Sequence, residues 1–161
     1  MRFIHVAEST GLIVQIGEWI IWEACRFLAR QHARGQLITV SVNLSARQFT
    51  DQDLPGLVER VLKRTGALAE YLILEITESM LMGDTDAAIT QLNELKRLGL
   101  ALSIDDFGTG YSSLSYLKRF PVDELKIDRS FVKDIPEDKN DMDITAAIIA
   151  MAQKMDLRVV A

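Results

Sequence analysis

Five short runs rich in β-branched and aliphatic residues, each preceded by a stretch of helical periodicity, constrain this chain more than any other feature of its sequence. The runs are LITVSVN (37–43), YLILEIT (71–77), LALSIDD (100–106), VDELKID (122–128) and LRVVA (157–161). Strands that alternate with helices in this way read as βα units of a parallel sheet. In one helical stretch Leu54, Leu57, Val58, Val61 and Leu62 share a face, and in the last Ile144, Ala147, Ile148, Met151 and Met155 do so. Gly35, Gly66 and Gly99 fall just past helical segments, where C-terminal caps are expected, and Asp53 and Asp84 stand at N-cap positions. The charged stretch PEDKNDMD (136–143) reads as a solvated loop. No linker or low-complexity tract divides the sequence, so residues 1–161 are expected to form one domain without an internal boundary.

Parallel βαβ units need right-handed crossovers, and a series of them either winds an open sheet or closes a barrel. In the first run Ile38, Val40 and Val42 alternate with Thr39, Ser41 and Asn43; in the third Leu102 and Ile104 alternate with Ala101, Ser103 and Asp105. An open parallel sheet covered on both faces tends towards continuous apolar runs, so repeated polar positions favour a TIM-type (β/α) barrel. A complete barrel takes about 250 residues. The 161 residues here therefore predict an incomplete barrel, with first strands and last strands lying outside this sequence.

The polar residues fall where such a barrel keeps its chemistry. Asn43, Glu75, the Asp105–Asp106 pair and Lys126 all lie towards the C-terminal ends of successive β-like runs, the end that forms the active-site mouth. Amide and carboxylate oxygens are hard ligands suited to magnesium or manganese, and several carboxylates near a phosphate require cations between them. Lys126 would add a compact positive charge for a phosphate or its attacking water. Plainer readings stand beside each of these. Lys126 can pair with Glu124 or Asp128, Glu75 can be an ordinary surface carboxylate, and the two aspartates can cap the following turn.

Composition narrows the field further. A net charge of −5 argues against an extended DNA partner. His5 and His32 have no ligand-spaced partner, and the single cysteine, Cys25, lies on an apolar helical face as a structural thiol. No apolar stretch is long enough to cross a bilayer and no secretory signal is evident, which suggests a cytoplasmic protein whose parent is free to carry an anchor elsewhere. After the acidic pair comes FGTGYSSL, in which Gly108 and Gly110 permit tight turns and Ser112 or Ser113 can cap a short helix. The GTG element alone is equally compatible with a structural turn.

Taken together, SVNLSARQF, LILEITES, IDDFGTGYSSLSYLKRFPVDELKIDRSFV and LRVVA resemble the EAL domain family over nearly the whole chain. That resemblance implies a TIM-type barrel that hydrolyses cyclic di-GMP to linear pGpG with two magnesium or manganese ions. It implies that Asn43, Glu75 and Asp105 ligate metal, that Asp106 serves the second metal, and that Lys126 supports the attacking water. It also implies that Glu78 steadies the loop Phe107, Gly108, Thr109, Gly110, Tyr111, Ser112 and Ser113, which in the family couples the metal site to dimerisation. The Glu-Ala-Leu segment and a later Glu-Gly-Val-Glu segment are not in this sequence. The expectation is a fragment with weak or no hydrolysis alone and a tendency to form homo-oligomers through open edges. A non-catalytic module that binds the nucleotide or a protein partner is the alternative.

Overall fold

The computed structural model describes residues 2–109 and 117–161. Five parallel strands interleaved with helices give an α/β fold. In chain order the elements are α1 (Arg2–Thr10), α2 (Leu12–His32), β1 (Val40–Asn43), α3 (Ala46–Asp51), α4 (Leu54–Thr65) and β2 (Leu72–Thr77). They continue with α5 (Thr85–Arg97), β3 (Ala101–Phe107), β4 (Glu124–Ile127), α6 (Lys139–Lys154) and β5 (Arg158–Val160). All five expected strands are present, each within a residue or two of its sequence run except β1. There, the Ile38 N–H donates back to the Gln36 carbonyl at 3.0 Å, so the ladder begins only at Val40.

The chain divides into two compact units, Met1–Glu75 with Asn93–Ala101, and Ile76–Leu92 with Leu102–Ala161. In the first unit β1 pairs parallel with β2, Val40 opposite Leu72 and Asn43 opposite Glu75. Helix α4 shows its apolar stripe, Leu54, Leu57, Val58 and Val61, fully buried, and α2 buries Ile21, Cys25 and Leu28. Burying one such aliphatic side chain contributes roughly 1.5–3 kcal/mol, so these stripes rather than helix propensity hold α2 and α4 in place. The start of α4 is fixed by Asp53, whose carboxylate accepts from the Gly56 N–H at 3.0 Å. Its end is fixed by Gly66, which adopts a left-handed φ of 70° and donates to the Leu62 carbonyl. His32 is structural: its Nε2 lies 3.0 Å from the Ile38 carbonyl and its ring meets Tyr71 edge-on.

In the second unit β4 pairs parallel with both β3 and β5. Its core includes Leu81, Leu92, Leu102, Ile104 and Leu125, all 1% exposed or less. The charged stretch expected as a loop is instead mostly helix. Asp138 accepts from the N–H groups of Asn140 and Asp141 at 2.7 and 3.2 Å, which starts α6 at Lys139. Acidic residues at a helix start satisfy orphan donors and oppose the positive end of the helix dipole, so a charge run there nucleates structure. Among the described residues no helix is long and apolar enough to cross a membrane.

Candidate active site

In the first unit the polar strand-end residues are Asn43 and Glu75, direct neighbours across the β1–β2 ladder. The Leu44 N–H donates to the Glu75 carbonyl at 2.9 Å, so the pairing holds up to the last residue of β1. A capping box then turns the chain. The Gln48 N–H donates to the Ser45 hydroxyl and the Ser45 N–H donates to the Gln48 side-chain oxygen, both at 3.2 Å. Gln48 is buried over Gly17 of α2, where a Cβ would overlap its amide. The sequence NLSARQF thus ends a strand abruptly and leaves Asn43 exposed at its tip, beside a buried Glu75.

The second unit carries the other polar residues, and here β3 departs from regular pairing. Ile104 opposes Leu125 but Phe107 opposes Ile127, so three steps along β3 match two along β4. The extra residue is a β-bulge, and it sets both Asp105 and Asp106 against the single intervening residue of β4, Lys126. Asp106 takes a left-handed φ of 54°, a conformation that costs a residue with a side chain and that concentrates at functional sites. Simple strand alternation would send the two aspartates to opposite faces; the bulge removes that constraint.

Lys126 Nζ lies 3.1 Å from Asp105 Oδ1, both side chains being about a quarter exposed. Lys126 thus has an ion-pair partner that its sequence neighbourhood did not suggest, Asp105, while Glu124 meets Arg158 at 3.7 Å. Burial pushes the Asp106 carboxyl above the usual carboxylate range, the charges of Asp105 and Asp128 push the same way, and Lys126 opposes them. Asp128 is held below that range by hydrogen bonds from Ser130, whose N–H donates at 2.8 Å. Asp128 lies close enough to Asp106 for its charge to act on that carboxyl. It is a member of this cluster that sequence reading treated only as an ion-pair partner, although it stands two residues after Lys126 at the same strand end.

The turn after the bulge is held from several sides. The Thr109 hydroxyl donates to the Asp106 carbonyl at 2.9 Å, and the Gly108 N–H donates to Glu78 Oε2 at 3.4 Å. Glu78 sits buried in a 3-10 turn, Glu78–Leu81, just past β2, and its other carboxylate oxygen has no partner among the described residues. Gly108 has a φ of 100°, and a Cβ there would stand 2.8 Å from the Phe131 ring. Phe107 is buried at the end of β3. Gly110, Tyr111, Ser112 and Ser113 lie outside the described residues.

Among the described residues, no three histidine, cysteine or acidic side chains are already set at ligating distances. The donor chemistry nonetheless suits a hard divalent cation. Burial and, after it, the charges of Asp105 and Asp128 raise the Asp106 carboxyl, and oxygen donors of this kind match magnesium or manganese.

A family model described as EAL domain matches residues 1–161. The chain belongs to the EAL domain family. This EAL chain is 49% identical over 161 residues to the cyclic di-GMP phosphodiesterase NbdA of Pseudomonas aeruginosa, an alignment covering 99% of this chain and 21% of that protein. It is 40% identical to the cyclic di-GMP phosphodiesterase PdeR of Escherichia coli, over 100% of this chain and 24% of that one. A solved structure described as the PaMucR phosphodiesterase in complex with c-di-GMP matches with a TM-score of 0.94 and 46% identity, over 98% of this chain and 64% of that chain. The EAL chain thus spans 21% and 24% of the length of these two curated relatives.

Proposed function

We propose that residues 1–161 are part of a single EAL domain that hydrolyses cyclic di-GMP to linear pGpG with magnesium or manganese. The observation that carries this reading is the β3 bulge, which turns Asp105 and Asp106 together towards Lys126 at a strand's C-terminal end. Membership of a family whose relatives include named cyclic di-GMP phosphodiesterases supports it.

In this reading Asn43, Glu75 and Asp105 hold one cation and Asp106 serves a second, with the charge of Asp128 close to it. Two divalent ions, when bound, neutralise the phosphodiester and stabilise both the attacking and the departing oxygen. Lys126 fixes the orientation of Asp105 through its ion pair and sets a positive charge beside the water or the phosphate. Glu78 acts at one remove, holding the Gly108 amide and so the turn that fixes Asp106. The domain works in the cytoplasm and self-associates; the exposed side chains of Phe3, Trp19 and Leu37 support the self-association.

The test is chromatographic detection of pGpG after incubation with cyclic di-GMP and Mn2+. Both this chain and a version extended at each end to the full length of the solved relative are assayed. The extended protein is expected to turn over, and Asp105→Asn and Asp106→Asn to reduce its rate by roughly 100-fold or more. Binding of cyclic di-GMP by the extended protein without turnover would instead establish a receptor.

A further inference from the structure

A second site is built on the outer surface of the first unit. Trp22, Arg26, Ala29 and Arg30 of α2, with Arg64 and Thr65 of α4, line an open concavity of about 560 Å³. Trp22 is half-buried and the three arginines are exposed. Arg26 stacks over the Trp22 ring, its guanidinium carbon 5.4 Å from the ring centre, and is anchored by Glu23 at 2.6 Å. Arg30 and Arg64 face no carboxylate at ion-pair distance among the described residues.

Each arginine alone has an ordinary explanation. Arg30 and Arg64 stand in the last turns of α2 and α4, where a cation opposes the negative end of the helix dipole. That account covers one cation per helix end. It does not explain why two such cations border the same hollow as a third, Arg26, which lies mid-helix and is held on an aromatic ring. Three like charges around one concavity repel one another at some cost, and that repulsion turns into attraction when an anion fills the space.

We infer that this concavity binds a phosphate-bearing nucleotide. Guanidinium groups form forked hydrogen bonds with phosphate oxygens, and Trp22 supplies aromatic surface for a base beside the stacked Arg26. The hollow lies along the C-terminal half of α2 and at the C-terminal end of α4, on the sides that lead into the starts of β1 and β2. Asn43 and Glu75 lie at the opposite ends of those strands, so this site is separate from the candidate active site and does not depend on the phosphodiesterase reading.

The experiment is isothermal titration of the chain with GTP, with pyrophosphate and with guanosine as separate probes. GTP is expected to bind most tightly, pyrophosphate roughly tenfold more weakly, and guanosine not measurably. The double variant Arg30→Gln/Arg64→Gln is expected to weaken GTP at least tenfold, and Trp22→Leu, which also frees Arg26 from the ring, to weaken GTP more than pyrophosphate. Lys63→Gln removes an equal charge from the same turn of α4, where Lys63 pairs with Glu59 at 2.7 Å, and is expected to leave binding unchanged. Circular dichroism melts confirm that the variants are folded. Absence of GTP binding, equal weakening by Lys63→Gln, or indifference to the two arginines would overturn the site. Equal affinity for GTP and pyrophosphate would overturn the nucleotide assignment.

Discussion

Replacing Gly108 by alanine tests how tightly the turn beyond the acidic pair is held, and the structure separates two costs. The first is local: at a φ of 100° a Cβ meets its own backbone, a penalty of about 1–2 kcal/mol for a left-handed residue. The second is tertiary: the new methyl would stand 2.8 Å from Phe131 Cε2 and 3.3 Å from Cζ, so the ring or the turn must shift. Overpacking of this kind costs about 1–3 kcal/mol. Together they predict a loss of about 2–5 kcal/mol, which for a chain of this size is a fall in Tm on the order of 5–15 °C. Thermal unfolding by circular dichroism of Gly108→Ala, Phe131→Ala and the double variant measures both parts. Removing the ring should relieve the tertiary cost and leave the backbone cost, so the two substitutions should couple by about 1–3 kcal/mol. A Gly108→Ala protein as stable as the parent would refute the backbone argument. An undiminished cost in the Phe131→Ala background would refute the steric one.

Ser45→Ala removes the cap of α3 and is expected to cost about 1 kcal/mol in a denaturant titration, whereas Ser45→Asp should retain most of that stability. Burial pushes the Cys25 thiol up to about 11 from 9.0, so the unfolded chain sheds this proton first. Stability attributable to Cys25 is complete below pH 9 and drains away between pH 9 and 11. Relative to Cys25→Ala, the parent should lose about 2 kcal/mol between pH 8 and about 10.5; parallel pH curves would contradict this. Lys126→Met breaks the pair with Asp105 but removes no fully buried group, so melting should shift by only a few degrees. Turnover by the extended protein should fall roughly 100-fold or more, and equal activity would remove Lys126 from the mechanism.

The five strands were legible because aliphatic and β-branched runs at regular spacing are a property of local sequence, and their burial follows the same pattern. Caps at Asp53 and Gly66 were legible for the same reason. The β3 bulge was not. No residue in LALSIDDF announces an extra step, and only the register against β4 shows that Asp105 and Asp106 both oppose Lys126. Pairing preferences were also hidden: Lys126 had Glu124 and Asp128 as candidates in sequence, whereas tertiary placement sets it 3.1 Å from Asp105 and sets Glu124 3.7 Å from Arg158. Asp128 was legible only as a partner for Lys126, because its proximity to Asp106 joins residues far apart in the chain. The stretch 136–143 misled because charge alone does not distinguish a loop from the capped first turns of α6.

Electron paramagnetic resonance titration of Mn2+ into the extended domain tests directly whether strand-end oxygens gather cations. Saturable binding that is lost in both Glu75→Gln and Asp105→Asn, with both variants still folded, is the predicted result. Unchanged Mn2+ binding in either variant would show that these carboxylates are not ligands.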